Sequence, residues 1–152
     1  MASLPHIPLL YRIMFLYFEP FSAFNGALLC HFRPANFLTT MSATATYSPS
    51  VQVIFDQVAA CYILFAFNEA VVLRITKELR VWKTMILGMV LCDMLHIYGS
   101  WQALGTEVSL RPWLWRSEDA LNMTILYGFL LLRLAFLAGI GLGKGVSEKK
   151  QA

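Results

Sequence analysis

Apolar and polar positions along this chain fall into long blocks. Four apolar runs stand out: "PLLYRIMFLYFEPFSAFNGALLCHF" at 8–32, "VQVIFDQVAACYILFAFNEAVVL" at 51–73, "VWKTMILGMVLCDMLHIYGSW" at 81–101 and "DALNMTILYGFLLLRLAFLAGIGL" at 119–142. Each is close to the roughly 20 residues that cross a hydrocarbon core at 1.5 Å per residue. The pattern predicts an all-α fold, an integral membrane four-helix bundle. It forms a single transmembrane domain over 8–143, followed by a polar cytosolic tail at 144–152. The first run lacks a basic leader and contains Glu19 and Pro20, so it is expected to be a retained helix and not a signal peptide.

Between the runs the chain changes character. Residues 33–50, "RPANFLTTMSATATYSPS", read as a polar loop or a lid over a pocket, and 74–80, "RITKELR", as a short basic hairpin. The connection at 102–118 carries "RPWLWRSE", whose tryptophans suit a membrane interface. Composition agrees: 58% of residues are hydrophobic, 14% are charged, and the mean hydropathy is +0.60. A soluble domain is about 45–50% apolar and about 25% charged.

Basic residues orient the spans. The N-terminus, second loop and tail share one side, which holds Arg12, Arg74, Lys77, Arg80, Lys83, Lys144, Lys149 and Lys150. The other side holds Arg33, Arg111 and Arg116. The positive-inside rule then places both termini in the cytosol and, in a eukaryote, the opposite side in the lumen of the endoplasmic reticulum. The net charge of +3 is too scattered for nucleic acid. Cys30, Cys61 and Cys92 stand alone in apolar runs, which predicts small buried hydrophobes and neither disulfides nor a metal site. Asn122-Met123-Thr124 matches a glycosylation acceptor, but at a helix mouth it reads as a chance match.

The informative residues are polar ones inside the spans. An ionisable group at bilayer depth costs roughly 2.5–3.5 kcal/mol on insertion scales, so it is expected to face a protein interior or a wet cavity. Asp93, His96 and Ser100 share one face of the third helix; Asn122, Phe129 and Arg133 share one of the fourth; Glu19, Ser22 and Gly26 share one of the first. Asp56 and Glu69 are thirteen residues apart on nearly opposite faces, so at most one points into a common site. By depth, Asp56 is assigned to the pocket, and Glu69 to a separate task such as pairing with Arg74 or capping the helix. Pro20 is expected to free the carbonyl of Leu16 and bend the first helix. Arg133 requires a carboxylate partner, Glu19 or Asp93.

The motifs "YFEPFSAFNG", "FNEAVVLR", "CDMLHIYG" and "LRLAFLAGIG" resemble those of a family of small fungal membrane proteins carrying a domain of unknown function. The resemblance covers roughly residues 8–143 and implies a fungal source, with secondary-metabolite synthesis as a setting. More loosely, the architecture is similar to emopamil-binding-protein-like bundles, compact helical proteins whose acid- and histidine-lined pocket binds sterols. No residue role is carried over from either.

These features predict a membrane enzyme performing acid/base chemistry on a lipophilic metabolite: cyclisation, isomerisation or epoxide opening. A carboxylic acid kept from water can hold its proton and donate it to an alkene or epoxide. Glu19 or Asp93 would be that acid, and His96 would hold or return the proton. Asp56, Asn122, Arg133 and Ser100 would line the pocket. No cofactor and no metal is expected. The expected partners are the bilayer, a lipophilic small molecule and either further copies of the chain or biosynthetic partner enzymes. The competing expectation is a lipid-binding or scaffold protein that uses the same polar groups for assembly. A transporter would need a wider pathway than four spans give without oligomerisation.

Overall fold

The computed structural model describes residues 6–143; the expected cytosolic tail at 144–152, with Lys144, Lys149 and Lys150, lies outside the described residues. Five helices make up the fold: α1 (Leu9–Phe32), α2 (Pro34–Met41), α3 (Pro49–Ile75), α4 (Leu79–Ser109) and α5 (Ser117–Leu137). All but α2 are long and apolar enough to cross a membrane. Only 17–28% of each span's most apolar window is buried by the protein, so most of its surface faces outward. Leu9, Phe32, Ile75, Leu95 and Leu131 are among the exposed side chains. In water such a surface would be an interaction or aggregation patch; in hydrocarbon it is the solvated face.

The helices run alternately up and down. Backbones approach most closely between α1 and α3 and between α4 and α5. Gly26 makes the first approach workable: a Cβ there would meet the Tyr62 ring at 3.4 Å. In lipid, such packing and interhelical polar contacts replace the hydrophobic effect as the force joining helices.

The two ends of the bundle differ. At the end bearing the termini, Ile7, Tyr11, Phe15, Leu73, Trp82, Ile86 and Phe136 form a filled core. The Tyr11 hydroxyl donates to the Ile140 carbonyl at 3.0 Å, tying α1 to the turn after α5. That turn ends the last helix five residues short of the expected 142. Gly139 adopts φ 82°, its N–H bonds to the Phe136 carbonyl, and that of Ile140 bonds to Ala135, a Schellman cap. Lys83 donates to the Leu137 carbonyl at 3.1 Å, covering another free acceptor.

At the other end the expected polar loop or lid is partly helical. Pro34, with its preset φ, opens α2 at its first position. Phe37 and Leu38 pack against Ala27, Cys30, Phe55 and Ala59 of α1 and α3. α4 also overruns its expected limit of 101, continuing to Ser109 across a kink at Gly105, whose φ is 77°.

Two helices contain π turns, Met14–Phe18 in α1 and Asn68–Val72 in α3, and these pack against each other. Pro20 supplies one cause, since it has no N–H for the preceding turn. The carbonyl of Leu16 is freed as expected and accepts a 3.0 Å hydrogen bond from Arg74 Nη2. Arg74 therefore serves α1, with its guanidinium 4.8 Å from the Tyr17 ring centroid, and it is not paired with Glu69.

Candidate functional site

Above the filled core lies a cavity of about 500 Å³ walled by all five helices. Its size falls within the range of about 300–1,000 Å³ usual for small-molecule sites. α1 contributes Glu19, Ser22 and Gly26; α3 contributes Tyr62, Phe65 and Glu69. α4 contributes Met89, Cys92, Asp93 and His96; α5 contributes Asn122, Phe129 and Arg133. The residues from α2 are Phe37, Thr40 and Met41. Most of the wall is apolar or aromatic.

At the inner end, Arg133 bonds Asp93 through Nη1 and Glu19 through Nη2. One guanidinium thus ties α1, α4 and α5 together at a depth where an unpaired charge would be untenable. Its carbon also lies 5.4 Å from the Phe129 ring centroid. Arg133 takes both of the partners between which the sequence left a choice. Neither Glu19 nor Asp93 is a free acid.

The free acid is Glu69. It is fully buried, and neither Oε1 nor Oε2 has a hydrogen-bond partner. Its inward position corrects the expectation that it served a separate task. The π turn at Asn68–Val72 sets its direction, and π turns of this kind recur at functional sites. A signal was present in the sequence: Tyr62, Phe65 and Glu69 follow i, i+3, i+7 spacing, one face of a helix.

Asp56 lies on the opposite face of α3 and does not line the cavity. It accepts from Gln52 Nε2 at 2.8 Å and lies 2.9 Å from His31 Nδ1 in a half-exposed network joining α1 to α3. The rule that only one of Asp56 and Glu69 faces inward holds, but the inward one is Glu69. Ser100 is buried yet also lies outside the cavity wall, whose polar stripe on α4 ends at His96. The rim includes Thr40 and Met41 of α2 and Glu118 of α5. Of the cysteines, Cys30 is buried, Cys61 is exposed and Cys92 lines the cavity.

The rim is held by Arg116. Its guanidinium donates to Asp119 at 2.7 and 2.9 Å and to the Thr39 carbonyl at 3.3 Å, pinning α2 to the start of α5. The Asp119 carboxylate accepts from the Arg116 backbone N–H as well, satisfying the backbone donor at the start of α5. Hydrogen bonding to Asp119 pushes the Arg116 guanidinium above its ordinary pKa.

A family profile described as a domain of unknown function, DUF7704, matches residues 2–143. The chain belongs to the DUF7704 family. No curated protein matches it, and no solved structure does. The DUF7704 match covers all five helices and every residue of the cavity, so membership adds no division of the fold and assigns no chemistry to it.

Proposed function

We propose that this DUF7704 domain is a membrane-embedded enzyme that performs acid/base chemistry on a lipophilic metabolite, by isomerisation, cyclisation or epoxide opening. One observation carries the reading: a fully buried carboxyl without a partner, Glu69, lines an apolar cavity beside a carboxylate–guanidinium cluster. A group of that kind is costly as mere structure, because a buried polar group without a hydrogen bond destabilises the fold.

In an isomerisation, Glu69 donates its proton to an alkene carbon of the substrate. The resulting carbocation is held by the carboxylates of Glu19 and Asp93 and by the faces of Phe65 and Phe129. His96 takes a proton from a neighbouring carbon, closing the new double bond, and proton return from His96 to Glu69 resets the site. Cyclisation and epoxide opening begin with the same donation.

The endoplasmic reticulum location, cytosolic termini, fungal origin, secondary-metabolite setting and emopamil-binding-like character belong to the same proposal. They are supported by the basic-residue asymmetry and the sequence motifs. A second reading, a lipid binder or scaffold, draws on Arg133, whose bonds to two helices are what assembly glue requires.

The test is the metabolite profile of a strain lacking the gene, complemented with wild type, Glu69→Gln, Glu19→Gln or Asp93→Asn. Glu69→Gln is expected to accumulate in the membrane at wild-type abundance while an unrearranged lipophilic precursor builds up. Full rescue by Glu69→Gln sinks the enzyme reading in favour of the scaffold.

A further inference from the structure

We infer that the cavity takes an uncharged lipophile carrying one oxygen function, a hydroxyl, epoxide or carbonyl, and that this molecule enters from the bilayer between α1 and α5. The inference rests on the cavity being the reacting site proposed above and names its substrate class.

The entry route follows from what is closed and what is open. The aromatic core with Phe15 and Phe136 fills the end bearing the termini. At the opposite end, α2 bridges α1 and α5 and is pinned there by Arg116. The side between α1 and α5 is different. Phe21 is 68% exposed, Leu121 65% and Ile125 39%, yet all three line the cavity. Side chains that touch both the cavity and the outer surface mark an opening; its edges are largely apolar, with Ser22 and Asn25 of α1 also exposed there.

Charge then narrows the class. Among the described residues, the cavity wall contains one permanently cationic side chain, Arg133, already bonded to two carboxylates. Against it stand Glu19, Glu69 and Asp93, with Glu118 at the rim. An anionic head would meet an excess of carboxyls and no unengaged cation. A cationic head would have to leave the membrane surface and cross hydrocarbon to reach Glu69, as any charged head would. A neutral oxygen function travels through lipid at little cost and supplies what Glu69 lacks, an acceptor for its O–H. The apolar remainder of the molecule then lies against Phe65, Met89 and Phe129.

The full chain in lipid nanodiscs would be photolabelled with a diazirine-bearing isoprenoid alcohol and the labelled peptides mapped by mass spectrometry. Label is expected on the cavity-lining segments of α3, α4 and α5, displaced by unlabelled alcohol. The same chain ending in a sulfate or a trimethylammonium is expected to displace it far less. Glu69→Leu leaves no polar group at that position and is expected to cut specific labelling about tenfold, the worth of one good hydrogen bond. Glu69→Gln keeps a donor and an acceptor and should retain most of the label. Ile125→Trp, which narrows the gap, should slow labelling.

Displacement by either charged analogue as strong as by the alcohol overturns the uncharged class. Unchanged labelling of Glu69→Leu overturns the role of Glu69, and an unchanged rate in Ile125→Trp overturns the route. These arms read binding alone. If they fail while Glu69→Gln still leaves precursor unconverted in cells, the substrate class is wrong and the proton-transfer reading stands. If labelling behaves as expected while Glu69→Gln restores product, the site binds without reacting.

Discussion

Replacing Arg133 with methionine tests whether the ion cluster holds three helices together. The residue is 4% exposed and bonds both Glu19 and Asp93, so its loss leaves two carboxyls and no cation at one depth. Removing one partner of a buried pair costs about 3–5 kcal/mol. Protonation gives a second route to that figure. Forcing one ordinary carboxyl neutral at pH 7 takes about three pH units, or about 4 kcal/mol at about 1.36 kcal/mol per unit. The Glu19 side chain is 14% exposed, and this access through the cavity places the expected loss at the lower end, about 3 kcal/mol. Reversible unfolding in mixed detergent micelles, followed by circular dichroism, measures it. The triple variant Glu19→Gln/Asp93→Asn/Arg133→Met removes all three charges and leaves amides able to bond each other. It is expected to regain more than half of the loss. The reasoning is refuted by a single-variant loss below about 1 kcal/mol, the worth of a surface pair, or by a triple variant no more stable than the single.

Three further outcomes follow from the packing. Arg74→Met should cost about 1.5–3 kcal/mol by stranding the Leu16 carbonyl. In a Pro20→Ala background, where a backbone N–H becomes available to that carbonyl, the loss should shrink by at least half, as read by a double-mutant cycle. Gly26→Val pushes branched bulk against the Tyr62 ring and should lower stability by about 1–3 kcal/mol in the same unfolding assay, while Gly26→Ala costs less. Asp119→Ala removes the acceptor of the Arg116 backbone N–H and frees its guanidinium; a loss of about 1 kcal/mol is expected. Hydrogen exchange should then quicken in α2 and the first turn of α5, and exchange unchanged in α2 would show that Arg116 does not pin it.

The candidate site was legible in part, and the reasons are specific. Arg133 demanded a carboxylate because a lone guanidinium cannot be buried in hydrocarbon, and the two acids at its depth were Glu19 and Asp93. Helical spacing placed Ser22, Gly26, His96, Asn122 and Phe129 on inward faces, where the structure has them. It failed at Glu69 and Asp56. Spacing along a helix ranks two opposite faces as equals, and only neighbouring helices decide which turns inward. The polar loop hid α2 because Phe37 and Leu38 gain their helical context from packing against α1 and α3.

The amino-acid sequence by itself determined the four spans and their alternating direction. Length and hydropathy act locally, and a bilayer imposes one geometry on any long apolar helix. Pro20 likewise marked the freed Leu16 carbonyl, because a missing N–H is a covalent fact. What the tertiary structure alone decided was the partnering: Arg74 at that carbonyl, Arg133 shared between two acids, and Glu69 left without a hydrogen-bond partner at the cavity wall. The facing π turns at Met14–Phe18 and Asn68–Val72 belong with these. Such choices depend on how helices distant in sequence meet, and a one-residue change in helical register is enough to turn a side chain from lipid toward the cavity.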